Sequence, residues 1–260
     1  MSKEIINHSN GSGPSFFESW NSQRYKPLGK DFRLGDGMFL IAGLPKSGNV
    51  WLTSLVANCL DLPVTVQDGQ SSVSYTHKGL TSEVLHDPKI LRGVVLVRDL
   101  RDIIVSLYHW LGTEDYLSYF KHGPHQIFGD LESMYIEYFL RRFSHIPIDT
   151  LVDDYVKLGW PVIKYENLWD NAMRELTRLF AVWQIEVSEE KIARAVEQNS
   201  IKVLRNSQQS ATIDSSIKRD HFRAGGYGQF RNEIPEHILS DIERRYGNYL
   251  RSWGYVCATV

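Results

Sequence analysis

Cysteine is scarce in this chain of 260 residues: Cys59 and Cys257 stand alone, too few for the disulfide framework that holds small secreted domains together. Long apolar runs are missing as well. No segment approaches the roughly 18 consecutive apolar residues of a membrane-spanning helix, and Met1 to Phe17, rich in Ser, Asn and Gly, lacks the apolar centre of a signal peptide. Neither sign of charge is in excess. Lys and Arg number 29 against 31 Asp and Glu, a net charge of −2 that argues against a general binder of nucleic acid or anionic membrane. The 19 glycines and 9 prolines are too scattered for a low-complexity protein, and no internal repeat is evident. What is left is a folded chain, 42% hydrophobic and 23% charged, with material for one sizeable core and an expected home in a reducing cytoplasm.

Against that background the segment Leu40-Ile41-Ala42-Gly43-Leu44-Pro45-Lys46-Ser47-Gly48-Asn49-Val50-Trp51 stands out. Gly43 and Gly48 keep the G-x-x-x-x-G frame of a phosphate-binding loop after an apolar strand. In a nucleotide hydrolase the second Gly is followed by Lys and then Ser or Thr, whose hydroxyl holds Mg²⁺. Here Asn49 and Val50 occupy those places, and the lysine, Lys46, precedes the second Gly. Such a loop suits phosphate and lacks the usual metal ligand, so no metal is expected. Backbone N–H groups in a Gly-containing turn that runs into a helix N-terminus converge on an anion. Taken alone, the same residues also suit a plain strand–turn–helix connection whose glycines relieve crowding.

A second segment, Gly93 to His109, places an apolar strand (Gly93–Val97) before the charged cluster Arg98-Asp99-Leu100-Arg101-Asp102 and a helix with apolar Ile103, Ile104 and Leu107. Asp99 suits the N-cap and Asp102 the acidic first turn. Arg98 then sits at the carboxyl end of a strand, where open α/β sheets bind ligands, with Ser106 about two turns into the helix. A guanidinium fork and a hydroxyl so placed suit a phosphate.

Pro45-Lys46-Ser47-Gly48-Asn49-Val50-Trp51 followed by Arg98-Asp99-x-Arg101-Asp102-x-x-x-Ser106 resembles the sulfotransferases that use 3'-phosphoadenosine-5'-phosphosulfate (PAPS), most closely their soluble, cytosolic-type branch. The first block is similar to the family's P-K-S-G-T-T-W loop for the 5'-phosphosulfate. Arg98 and Ser106 are similar to its 3'-phosphate pair. Tyr165-Glu166-Asn167 resembles the Y-E-D segment near the adenine, and Phe222-Arg223-Ala224-Gly225-Gly226-Tyr227-Gly228-Gln229-Phe230-Arg231 the late F-R-K-G-x-x-G-D-W-K segment. Ser74-Tyr75-Thr76-His77 resembles the K-T-H element, whose histidine is the catalytic base. Five blocks in family order reach from Leu40 to Arg231.

The resemblance implies His77 and Lys46 as catalytic residues. It also implies Lys46, Ser47, Gly48, Asn49, Val50, Trp51, Arg98, Ser106, Tyr165, Arg223, Ala224 and Gly225 as the cofactor-binding set. PAPS becomes the co-substrate, 3',5'-diphosphoadenosine the product, and an acceptor hydroxyl or amine receives the sulfuryl group. The acceptor is left as a small molecule, a lipid or a carbohydrate, with Tyr108, Trp110, Tyr116, Tyr119 and Phe120 around the expected mouth. His109, in the helix after Ser106, is read as structural. The chain departs from the pattern at Asn49 and Val50, which replace two threonines, at Tyr75, which replaces a lysine, and at Ala224, which replaces another. Two other classes stay open: a P-loop kinase using ATP and Mg²⁺, and a non-catalytic nucleotide-binding relative.

The expected fold is α/β, a P-loop-type three-layer α/β/α arrangement around a central parallel sheet in a single domain. Residues 1–37 form a partly flexible N-terminal extension and 38–256 the sulfotransferase domain. Strands are expected at Met38–Ala42, near Val64 and Ser74, at Gly93–Val97 and at Pro161–Lys164, and helices at Val50–Leu60 and from roughly Leu131 to Lys157. One further helical face carries Leu168, Ala172, Leu176, Leu179 and Trp183. Ser188 caps a helix with Ile192, Ala195 and Val196, and Pro235 suits the start of another with Ile238, Ile242 and Tyr246. Residues 206–233 read as a long loop of the lid type.

Overall fold

Side chains alternate across the strands and both sets are buried, which forces helices onto both faces of one sheet. On β1 (Met38–Ala42), Phe39 and Ile41 join one core while Leu40 and Ala42 join the other; on β3 (Ile90–Val97), Val94 and Leu96 part from Val95 and Val97 in the same way. The computed structural model describes residues 37–64, 71–81, 84, 86–87, 89–111, 128–143, 148–200, 202–204 and 225–257. Within them, four strands run parallel in the order β2-β1-β3-β4, with β2 at Ser72–Thr76 and β4 at Val162–Lys164.

One face is covered by α1 (Asn49–Leu60), whose Leu52, Leu55 and Val56 pack beside Val73 and Ile163, together with residues from 165 to 204. The opposite face is covered by α2 (Leu100–Leu111) and by residues from 131 to 160 and 230 to 250. This is the three-layer α/β/α fold expected from the alternation. Cys59 is wholly buried in the first of these cores, and burial pushes its thiol up to about 12, an inert group rather than a nucleophile.

Element boundaries differ from expectation in several places, β3 beginning at Ile90 rather than Gly93 among them. Val64 lies in a bend; its neighbour Pro63 accepts one bond, from Val73 N–H, and among the described residues no strand is found there. The stretch from Leu131 is not one regular helix: α3 (Leu131–Met134) passes through a π-helical turn (Tyr135–Phe139) into α4 (Leu140–Arg142), and α5 (Ile148–Lys157) is a separate element. The apolar face from Leu168 to Trp183 is shared by α6 (Tyr165–Asp170) and α7 (Ala172–Trp183). Asn171 breaks the run because its side chain accepts from Arg174 N–H and caps α7. Ser188 caps α8 (Glu189–Gln198) as expected, α9 (Phe230–Glu233) forms a helical turn at the end of the stretch expected as loop, and Pro235 sits at the N-cap of α10 (Glu236–Ser252). No helix among the described residues is long and apolar enough to cross a membrane.

Candidate active site

The carboxyl edge of the sheet gathers the site. β1 lies between β2 and β3, so the loop that leaves it has Arg98, one residue past β3, on one side and His77, one residue past β2, on the other. The loop turns through two left-handed residues, Lys46 (φ 67°) and Gly48 (φ 98°), and Ser47 N–H donates to Leu44 O at 3.2 Å. Gly48 is required twice over, by its φ and because a Cβ there would lie 2.8 Å from the Tyr165 ring. Lys46 holds the same region without glycine's freedom, strain of about 1–3 kcal/mol of the sort that collects at ligand clamps.

What this turn presents is anion-binding chemistry. Gly48 caps α1 without a side-chain hydrogen bond, so the first-turn N–H groups, including those of Asn49, Val50 and Trp51, aim their partial positive charge at the loop. The Ser47 hydroxyl is buried with no hydrogen-bond partner. Lys46 adds a full charge, its Nζ 4.9 Å from the centre of the Trp110 ring. A buried hydroxyl, an uncapped helix end and an ammonium on one turn fit a phosphosulfate group.

Arg98, buried to within 8% of full enclosure, ties the two walls of the cleft together. Its guanidinium donates to Lys46 O at 2.9 Å and to Gly226 O at 3.3 Å, and it lies 4.1 Å over the Tyr165 ring. Nε of Arg98 is buried and has no partner. The late segment reaches this point through Gly225, Gly226 and Gly228, all at positive φ. It is pinned by Asp102, whose carboxylate accepts from Gly228 N–H at 2.5 Å and Phe230 N–H at 3.2 Å. Burial raises the Asp102 carboxyl above its usual range, opposed by those two bonds and by the Arg98 charge. Asp99 accepts from Arg101 N–H and thereby caps α2.

His77 stands on the other flank. Its Nδ1 lies 2.8 Å from Gly43 O, so Nδ1 carries the proton and donates it, leaving the Nε2 lone pair as the basic atom. Burial depresses this imidazole below the ordinary value near 6.5; the Gly43 bond opposes the shift and the Lys46 charge adds to it. A neutral histidine with a bare Nε2 is what proton abstraction requires. Tyr75, 40% exposed, sets its ring 5.2 Å from the imidazole.

Of the other expected residues, Ser106 lies partly buried on α2 and Val50 partly buried in the first turn of α1. Trp51 is enclosed: its indole N–H donates to Asn199 O at 2.9 Å, and its ring meets Tyr165 and Trp169 edge-on at 5.8 and 5.9 Å. Asn49 points inward, as described below. Arg223 and Ala224 lie outside the described residues, as do Tyr116, Tyr119 and Phe120. His109 pairs with Glu233, in keeping with a structural role. Sequence reasoning missed the clamp of Asp102 on Gly228 and Phe230, and it placed Trp110 at the acceptor mouth without seeing the contact with Lys46. Neither partner is signalled by local spacing.

Comparison with known proteins gives these features a setting. The family model described as sulfotransferase domain matches residues 72–254, a span that holds His77, Arg98, Ser106 and Tyr165 and begins after the phosphate loop. Among solved structures, mouse sulfotransferase SULT7A1 complexed with PAP is similar at 16% identity and a TM-score of 0.61, over 83% of this chain and 85% of that one. Retinol dehydratase in complex with androsterone and inactive cofactor PAP is similar at 14% identity and a TM-score of 0.58, over 86% of this chain and 83% of that one. The same protein with retinol and PAP gives 15% identity and a TM-score of 0.59, over 82% and 81%. At such identities the likeness is one of fold. Curated protein sequences yield no match.

Proposed function

Because the chain belongs to the sulfotransferase-domain family and is a PAPS-dependent sulfotransferase, we propose that it moves the sulfuryl group of PAPS in line to an acceptor hydroxyl, with His77 as general base and Lys46 as the group that stabilises departure of the nucleotide. The observation that carries the assignment is the His77 imidazole, held through Nδ1 by Gly43 O with its Nε2 bare, on the flank of a lysine-bearing anion loop. PAPS supplies an activated S–O bond whose cleavage leaves an anionic phosphate.

Everything else falls to the chain's own residues. His77 Nε2 takes the acceptor's proton as the new O–S bond forms. Lys46 and the first-turn N–H groups of α1 meet charge that grows on the departing oxygen, an interaction stronger in the transition state than before it. Arg98, Ser106 and the late segment with Arg223 and Gly225 hold the nucleotide's 3'-phosphate, which fixes the orientation of the reacting end. Tyr165, 5% exposed under the Arg98 guanidinium, backs that subsite. With Asn49 and Val50 where a metal-binding hydroxyl would stand, the kinase reading has no support. The acceptor is taken to be a small apolar molecule, in keeping with the exposed Tyr75 ring beside His77 and with the androsterone and retinol in complexes of the similarly folded retinol dehydratase.

The test is His77→Ala with two acceptors. kcat toward an alkyl alcohol should fall by roughly 10²–10⁴, the usual contribution of a positioned base, with PAPS affinity nearly unchanged. An acidic phenol, already partly ionised, should lose less. Full activity of the variant toward the alcohol would remove His77 from the mechanism.

A further inference from the structure

Asn49 occupies a position where the resembled loop carries threonine, yet its side chain is not turned to the anion-binding face. It is 3% exposed, and its amide Nδ2 donates to Leu44 O at 2.9 Å and lies 3.5 Å from Gly43 O and 3.4 Å from His77 Nδ1. The amide oxygen is buried without a partner, and it fills the space that a Cβ on Gly43 would need, 2.7 Å away. One short side chain therefore touches both peptides at the exit of β1 and the ring expected to act as base.

The three contacts to Gly43 and His77 cannot all be hydrogen bonds. If Asn49 donated to Nδ1, that nitrogen would have to be bare, and it would then face the Gly43 carbonyl oxygen, lone pair to lone pair, at 2.8 Å. Nε2 would carry the proton and could accept none. The shorter distance decides: Nδ1–H donates to Gly43 O, and one of the two Asn49 Nδ2 hydrogens is committed to Leu44 O. We infer that Asn49 is a positioning residue for His77: by fixing the Leu44 carbonyl, and with it the adjoining Gly43 peptide, it aims the Gly43 oxygen at Nδ1 and keeps the imidazole in the tautomer whose Nε2 is basic. The remaining Nδ2 hydrogen of Asn49, beside Nδ1–H at 3.4 Å, also disfavours a positive charge on the ring. The other groups beside the imidazole act in known directions: Lys46 from the loop opposes protonation, the Tyr75 ring from β2 is neutral, and Lys78 is exposed on the chain just beyond. Threonine, with one hydroxyl proton on a shorter stem, could not span the same carbonyls.

This inference rests on His77 being the base, so its main readout is independent of turnover. In ¹⁵N NMR of histidine-labelled protein, wild type should show His77 as the Nδ1–H tautomer. Asn49→Ala should give a mixture of tautomers and lower kcat by up to roughly 10²-fold, the scale of a misplaced reacting group, with the affinity for 3',5'-diphosphoadenosine changed by less than about 3-fold. Asn49→Asp keeps the shape, loses the donor and sets a carboxylate beside Nδ1–H. The midpoint of the acid limb of kcat against pH should then rise by roughly 1 unit or more, as for a carboxylate placed beside an imidazole. A retained pure Nδ1–H tautomer in Asn49→Ala, or an acid limb unmoved in Asn49→Asp, overturns the inference. Loss of nucleotide affinity matching the loss of kcat does so too, since Asn49 would then serve the loop alone. An active His77→Ala enzyme instead overturns the underlying assignment of the base, whatever the Asn49 variants do.

Discussion

In the proposed mechanism two side chains answer for the chemistry, and each makes a separate forecast. Lys46→Ala removes a charge whose work is done while the leaving group becomes more anionic, so kcat should drop by roughly 10²–10³, the loss seen when one donor to a developing anion is deleted. Binding of 3',5'-diphosphoadenosine should weaken less. The fold should survive, because the substitution leaves the buried side chains of both cores in place. Kinetics and titration calorimetry on the one variant check both points; near-native kcat would take Lys46 out of the leaving-group role. For His77 the direction of the pKa decides the pH profile. Burial holds it below the ordinary value near 6.5, so in wild type kcat should rise with pH, reach its midpoint below 6.5 and stay level through neutrality. The sign for stability follows from the same shift. An unfolded chain binds the proton first, so His77 lowers folding stability as pH falls from about 6.5 down to its folded value, and has no effect above.

Between elements, the site is a matter of who reaches across. Arg98 joins the β1 loop to the late glycine segment, and Asp102, in the first turn of α2, holds that segment by two backbone N–H groups. Arg98→Ala and Ser106→Ala should weaken 3',5'-diphosphoadenosine far more than adenosine 5'-phosphate, because the 3'-phosphate is what the two nucleotides do not share. Equal losses for both would move the pair out of that subsite. Much at this scale was legible beforehand. The strand Met38–Ala42, the loop that follows it, the cap at Asp99 and the helix from Ser188 follow from a short apolar run, paired glycines and short polar caps, all of them local. What was not legible depends on contacts distant in sequence. The inward turn of Asn49 is set by the carbonyls of Gly43 and Leu44 and the ring of His77. Asp102 reads from sequence as an ordinary first-turn acid, yet its partners lie 126 and 128 residues away. The break at Asn171 was missed for a different reason: the apolar stripe continues through it, and only the cap shows that two helices share one face.

At the scale of the molecule, the three layers place the exits of β1, β2 and β3 side by side, and the loop with Lys46, the proposed base His77 and Arg98 arrive there on three different connections. That convergence is why a family match beginning at residue 72 and a loop that precedes it belong to one site. A nucleotide bound to that edge should stabilise the whole fold, by about 2.7 kcal/mol at 100 times its Kd. The most direct measurement of the central claim is transfer of labelled sulfuryl from PAPS to a panel of phenols, alcohols and amines in excess EDTA, with thermal shifts recorded alongside. Labelled product without metal, and a raised Tm with 3',5'-diphosphoadenosine, are the expected results. No labelled product from any acceptor, with protection only by ATP and Mg²⁺, would contradict the account.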